Sequence, residues 1–332
     1  MQKVSTIAAI NCGGDDHMGK FSFLQPGKAP VFKDRFVTKV NECVVTYSEG
    51  ERGKVGLIGL PFSKSSISLS QAAEAPKTIR ACLSGYSTFS GQRDQDFDDI
   101  SIIDFGDVIT HPTNTDETLE RLYISVKEMI EKKACERYIM LGGDHGVSFP
   151  SIRAFQEKFG RIGVIQWDAH HDVRNLEDGG RTNGTPFRSL IEGGLIKGEH
   201  LVQIGIRDFA NAKKYHDFTI ENGVAVYSMA AIESEGILSI VRREVERLSK
   251  LVDKIYLSVD MDAVDQAFAP GCPAIGPGGL TSRELLSSIS EAGSHDQVIA
   301  MDIVEIDPSK DFRDVTSRLA AGAMLSFMYG GG

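Results

Sequence analysis

Residues 162–172 read Ile-Gly-Val-Ile-Gln-Trp-Asp-Ala-His-His-Asp. A short, β-prone run ends, without a turn residue, in a cluster of acids and imidazoles. In an open parallel sheet, ligands gather just beyond the carboxyl ends of the strands, so a polar cluster at that point is where a site is expected. The same transition recurs twice: residues 138–141 run into Gly142-Gly143-Asp144-His145, and residues 255–259 into Asp260-Met261-Asp262.

Outward from these, similar runs lie at 55–60, 100–105, 201–206, 224–227 and 298–303, which makes eight candidate strands. Amphipathic stretches at 116–132, 146–159, 231–251 and 282–292 separate many of them. This alternation predicts an α/β fold, a mainly parallel sheet with helices on both faces. Thr281 followed by Glu284 reads as a capping box opening the helix after the Gly/Pro-rich loop 270–279. No linker or repeat interrupts the pattern. We therefore expect a single domain over 51–332, preceded by an irregular segment, 1–50, that packs on the core or on a neighbour.

The 332 residues are 41% hydrophobic and 25% charged, ordinary for a soluble protein with a sizeable core, and the formal charge is -10. Nucleic-acid and membrane-surface binders need basic patches, so this balance points away from both and toward a small-molecule substrate. No apolar run approaches a membrane span, and the first residues lack the pattern of a signal peptide, which leaves a cytoplasmic address. Five scattered cysteines without a C-x-x-C pair read as reduced thiols.

Alternate side chains of an extended segment share a face, so Asp168, His170 and Asp172 can converge, as can Asp260 and Asp262, with His145 as a sixth ligand-type group. Taken singly, an Asp-x-Asp at a strand end is more often a cap, and Gly-Gly-Asp-His a turn. Their joint occurrence at three strand ends favours a metal site. Four carboxylates in one dry crevice repel each other unless cations sit among them, and two divalent ions neutralise them. Oxygen-rich coordination with two imidazoles and no thiolate suits manganese; ligand softness leaves iron, cobalt, nickel and catalytic zinc open. Such a pair can activate one water toward an electrophilic carbon, which is hydrolysis without a side-chain nucleophile.

The motifs GGDH at 142–145, DAHHD at 168–172 and SVDMDAVDQAFAPG at 258–271 resemble those of the ureohydrolase (arginase/agmatinase) family, over at least residues 55–332. The resemblance implies a three-layer α/β/α arginase-like fold with an eight-stranded, mainly parallel sheet, two manganese ions per subunit, and a homo-oligomer, trimer or hexamer. It assigns His145, Asp168, Asp172 and Asp260 to one ion, and Asp168, His170, Asp260 and Asp262 to the other. It gives Asp172 the handling of the attacking water's proton, and Glu305 the pairing with a cationic amidine or guanidine, as the catalytic residues.

Where arginases and agmatinases carry a loop histidine that relays protons, the matching position here is Asn183, which forms hydrogen bonds but does not titrate near neutrality. Arg174 stands two residues after Asp172, where arginases have a neutral residue, and its planar guanidinium suits a carboxylate. Arg181, Arg188 and Arg313 are further candidates around the same strand ends. A cationic rim disfavours a substrate with a cationic tail, such as agmatine. Over 63–66, 172–175, 182–188, 270–279 and 311–314 the chain is most similar to the branch of the family that hydrolyses N-formimidoyl-L-glutamate. That substrate has an amidine for Glu305 and the metals, and two carboxylates for the arginines. The alternatives are the sister activities that release urea from arginine, agmatine or guanidinobutyrate, and a catalytically silent binding or assembly subunit. Competent residues at all six ligand positions speak against the last.

Overall fold

The computed structural model describes residues 34–330. The chain divides into Met1–Val37 and Thr38–Gly332. Of the first unit only 34–37 is described, a turn in which Val37 N–H donates to the Asp34 carbonyl at 3.2 Å. The segment expected over 1–50, and whatever residues 1–20 contribute, thus lie largely outside the described residues.

In the second unit one parallel sheet contains β1 Val44–Thr46, β2 Gly53–Gly59, β3 Ile102–Asp107, β4 Cys135–Leu141, β5 Ile162–Trp167, β6 Leu201–Ile206, β7 Ala225–Ser228, β8 Lys254–Asp260 and β9 Val298–Val304. Their order is β1-β3-β2-β4-β9-β8-β5-β6-β7. The eight runs read from the sequence become β2 to β9. The expected strand number is one short, because Val44 pairs with Ile102 and β1 joins the sheet as a three-residue edge. Two of those three residues are exposed, so no apolar alternation announces the strand.

The helices are α1 Ala75–Cys82, α2 Thr115–Glu131, α3 Ser148–Phe159, α4 Pro186–Glu192, α5 Lys213–Glu221, α6 Met229–Glu235, α7 Ile237–Ser249, α8 Ser282–Gly293 and α9 Val315–Met328. The single helix expected over 231–251 is two, since Gly236 adopts φ +79° and ends α6, a conformation that costs glycine little. The capping box at the start of α8 is present, with Glu284 N–H donating to Thr281 Oγ1 at 3.2 Å and Thr281 N–H to Glu284 Oε2 at 2.8 Å.

Successive strand residues point to opposite faces, so the sheet feeds two cores. Leu57, Ile165, Leu257 and Met301 pack with α1 and α6 to α9, while Ile58, Val164, Tyr256 and Ala300 pack with α2, α3 and α4. Burial on both faces explains why the central strands read as mainly apolar runs without polar alternation. Among the described residues no helix is long and apolar enough to cross a membrane. Cys43, Cys82, Cys135 and Cys272 are free thiols, and Cys12 lies outside the described residues.

The strand order decides where chemistry can happen. β4, β9, β8 and β5 are consecutive neighbours, so the segments after them, far apart in sequence, open at one edge of the sheet.

Candidate metal centre and its cleft

β4 leads through Gly142-Gly143 into a turn of 3-10 helix, His145–Val147. The Phe62 backbone passes so close that a Cβ on Gly143 would overlap its carbonyl, which makes glycine necessary there. Buried Asp144 accepts from Gly146 N–H (3.0 Å), Ser65 N–H (3.0 Å) and Ser65 Oγ (2.6 Å), tying the turn down beside His145. At the end of β8, Asp260 accepts from Asp262 N–H at 2.8 Å.

These segments bring six side chains together. His145 Nδ1 lies 2.9 Å from Asp172 Oδ2 and 3.1 Å from both Asp168 Oδ2 and Asp260 Oδ2. His170 Nδ1 lies 3.1 Å from Asp262 Oδ2 and 3.4 Å from Asp168 Oδ1. Two groups result, His145/Asp168/Asp172/Asp260 and Asp168/His170/Asp262, and within each the candidate ligand atoms all lie within 4.8 Å of one another. Asp168 belongs to both groups, one oxygen toward each; Asp260 falls in the first.

The donor set fits cations. His145 Nε2 is engaged by Ser258 Oγ at 3.0 Å, and Nδ1, fully buried, has no hydrogen-bond partner although three carboxylate oxygens surround it. Lone pairs aimed at lone pairs across such distances call for positive charge between them. Burial pushes Asp260 well above the ordinary carboxylate range, with Asp262 and Asp168 adding to it, and pushes Asp172 up to about 6, with Asp168 adding. Burial acts on Asp168 as well, but the two imidazoles beside it, His145 and His170, outweigh burial and hold it below its ordinary value. All three acids meet His145, but Asp168 lies beside His170 as well, and it is the one whose shift is downward. Common to all is an excess of negative charge, which one proton on His145 cannot offset for three carboxylates and two divalent ions can.

Beside the cluster opens a cleft of about 260 Å³. Glu305, just past β9, is 4% exposed; its Oε1 accepts from His145 N–H (2.8 Å) and Asn183 Nδ2 (2.9 Å). Burial, and then the charge of Asp144, raise it to about 8. Asn183 Oδ1 in turn accepts from Ile67 N–H at 3.0 Å. Arg174 lines the cleft from an exposed position, its guanidinium 6.0 Å from the Tyr215 ring centroid, and no ion pair among the described residues engages it. Arg181, Arg188 and Arg313 do not line this cleft. Arg181 lies over Phe149 (4.5 Å), Arg188 bonds Glu192 one helical turn on (2.6 Å) and stacks on Phe218, and Arg313 sits exposed in a left-handed turn. His171 points away from the ligand groups, with Nδ1 2.6 Å from Gln203 Oε1.

Several residues that brace the ligands were not singled out from the sequence. Gln166 Nε2 donates to Asp168 Oδ2, and Gln203 Nε2 to Gln166 Oε1 (2.7 Å). Arg207 donates to the Asp262 carbonyl (2.7 Å) and to that of Gly276 (2.8 Å). Ser258 and Asp302 stand behind His145. A signal existed for some: Gln166, Ser258 and Asp302 are polar residues inside otherwise apolar strand runs, and Gln166 and Ser258 precede a ligand by two positions, hence share its face.

A family model described as the arginase family matches residues 53–330. A formimidoylglutamase of Halalkalibacterium halodurans is 49% identical over 313 residues, 94% of this chain and 98% of that protein. A formimidoylglutamase of Bacillus subtilis is 40% identical over the same shares, and its crystal structure superposes with a TM-score of 0.88, covering 93% of this chain and 96% of that one. A Trypanosoma cruzi formiminoglutamase structure described with Mn2+2 shares the fold at 22% identity, with a TM-score of 0.81 over 89% of this chain and 98% of that one.

Proposed function

Since the chain belongs to the arginase family, we propose that it hydrolyses N-formimidoyl-L-glutamate to L-glutamate and formamide, with two manganese ions held by His145, Asp168, His170, Asp172, Asp260 and Asp262. The observation that carries the substrate choice is the polarity of the cleft: a buried carboxylate inside, Glu305, and at the mouth a guanidinium, Arg174, that no ion pair among the described residues engages. A substrate with an amidinium at one end and carboxylates at the other matches that polarity, whereas agmatine would bring a second cation to Arg174. Likeness to the two bacterial formimidoylglutamases over nearly the whole chain supports the same choice.

When bound, two such ions lower the pKa of a water molecule and offset the carboxylate charge. The side chains do the rest. Glu305, steadied by His145 N–H and Asn183, accepts from the amidinium N–H groups and orients the formimidoyl carbon; the burial that raises its proton affinity equally favours a substrate cation. Asp172, Asp260 and Asp262 all line the cleft, and of the clustered acids the Asp172 side chain is the most exposed, 13% against 0% for Asp168 and 3% for Asp260 and Asp262, which makes it the best placed to meet a molecule there. It takes the proton of the attacking water and passes it to the glutamate nitrogen as the C–N bond breaks. Arg174 pairs with a substrate carboxylate.

The test is an assay of manganese-loaded protein against formimidoylglutamate, arginine, agmatine and guanidinobutyrate, reading formamide and urea. Formamide release should dominate. Faster urea release from any guanidine substrate sinks the substrate choice and leaves the hydrolase.

A further inference from the structure

We infer that Ser258 and Asp302 set the tautomer of His145, and thereby govern how tightly one of the two ions is held; this rests on reading the cluster as a metal centre. The two residues are register partners on adjacent strands, Ser258 of β8 opposite Asp302 of β9. Tyr256, Ser258 and Asp260 alternate on one face of β8, so a line of polar side chains runs from beneath the sheet surface up to the ligand Asp260. All of Tyr256, Ser258, Asp302, His145 and Ser148 are shielded from solvent.

The direction of each hydrogen bond follows from the number of hydrogens available. Ser258 Oγ donates its only hydrogen to Asp302 Oδ1 at 2.9 Å, and Tyr256 donates to Asp302 Oδ2 at 2.8 Å. With its hydrogen spent, Ser258 Oγ can only accept from His145 Nε2, 3.0 Å away. The ring hydrogen is therefore held on Nε2, and Nδ1 faces Asp168, Asp172 and Asp260 as a bare lone pair. A neutral imidazole binds a metal only through its unprotonated nitrogen, and the partner of the other nitrogen fixes which one that is. His145 belongs to the first ligand group alone, so the lock acts on that ion and not on the one met by His170. His170 has no comparable arrangement: its side chain is 29% exposed, and Nδ1 is its only nitrogen with a described partner. Ser258 and Asp302 are fully buried and do not line the cleft; they are positioning residues.

The experiment measures manganese per subunit, after dialysis against a fixed low manganese concentration, together with the electron paramagnetic resonance signal of the bound ions. The wild-type chain is compared with Ser258→Ala and Asp302→Asn. Wild type should hold two ions giving the signal of a coupled pair. Removing an outer partner of a metal-binding histidine typically weakens binding by about 10–100-fold, so Ser258→Ala should retain about one ion per subunit with the signal of an isolated ion. Asp302→Asn is nearly isosteric and carries the test if Ser258→Ala fails to fold. With its amide group toward Ser258, the hydroxyl hydrogen turns to His145 Nε2, the ring hydrogen moves to Nδ1, and the same ion is lost. A purely structural role for the pair predicts a lower melting temperature with two coupled ions retained in every variant that folds, and that result overturns the inference. A wild-type chain that binds no manganese overturns instead the metal reading beneath it.

Discussion

Replacing Arg174 by alanine should weaken the capture of formimidoylglutamate while sparing the fold and the metals. The side chain is exposed and in no described ion pair, and its one ring contact is at 6.0 Å, so its removal strands no buried group. The cost to stability should stay within about 0.5 kcal/mol. In the substrate complex, a bidentate guanidinium–carboxylate pair contributes about 1.5–3 kcal/mol. Water at the mouth of the cleft screens the pair and draws that toward about 1.5 kcal/mol, which at about 1.4 kcal/mol per decade is a roughly tenfold fall in kcat/KM. A contact made equally in ground and transition states is felt in KM. The assay follows formamide release against substrate concentration, for formimidoylglutamate and for an analogue whose side-chain carboxylate is an amide. Arg174→Ala should reduce the preference between the two as well as the efficiency. An unchanged kcat/KM for formimidoylglutamate refutes the reasoning and removes Arg174 from substrate recognition.

Asp172→Asn should still bind at least one metal ion yet turn over at a small fraction of the wild-type rate, and near-normal kcat would remove Asp172 from proton transfer. Chelation returns four clustered carboxylates to mutual repulsion; since a ligand at a hundred times its Kd stabilises by about 2.7 kcal/mol, dialysis against EDTA should lower the melting temperature by several degrees, reversibly with manganese, and an unmoved midpoint would argue against a resident metal. Thr281→Ala removes the cap of α8 and should cost about 1 kcal/mol in urea unfolding with activity retained. Asp307 is opposed by burial but lies below its ordinary value because Ser309, Gln71 N–H and Lys310 donate to it. A depressed carboxylate contributes stability above its unfolded pKa of about 3.9 and loses it as pH falls through the folded value, so urea midpoints at pH 5 and pH 3 should differ less in Asp307→Asn than in wild type.

The parts of the fold that could be read in advance are those encoded locally. The central strands β5, β8 and β9 carry mainly apolar runs because both faces of the sheet are covered there, and ligands stand where the runs of β5 and β8 stop. What local reading misses comes from pairing between distant segments. β1 is a strand only because β3 offers an edge; Val44-Val45-Thr46 is β-branched throughout, but three residues, two of them exposed, are too short for a period to show. The order β4-β9-β8-β5, which assembles the centre, is a property of the crossovers and not of any one strand. The arginines divide on the same ground. Arg188 finds Glu192 one turn away on its own helix, a pairing the sequence spacing already contained, whereas the freedom of Arg174 depends on what the loop around it leaves unpaired.

Backbone strain separates the working residues from their surroundings in a way that no spacing could. Seven described residues other than glycine have positive φ, and Asp94, Lys133, Phe209, Arg313 and Asp314 among them are exposed, in surface turns. The remaining two are Asp172, at φ +50°, and Glu305, at φ +59°. Both are off the surface, and both are held in place by main-chain bonds: Glu305 N–H donates to the Gly143 carbonyl at 2.9 Å, and the Asp172 carbonyl accepts from Phe187 N–H at 3.2 Å. Each costs on the order of 1–3 kcal/mol, and glycine would remove that cost at either position. Glycine would also remove the carboxylate. That two non-glycine residues persist in this conformation, at the two positions where a substrate would meet a proton carrier and an amidinium partner, is a physical argument for their roles that is independent of sequence likeness. Glu305→Gln preserves the strained backbone and the bonds to His145 and Asn183 while deleting the charge, so a fall in activity in that variant reports on the charge alone.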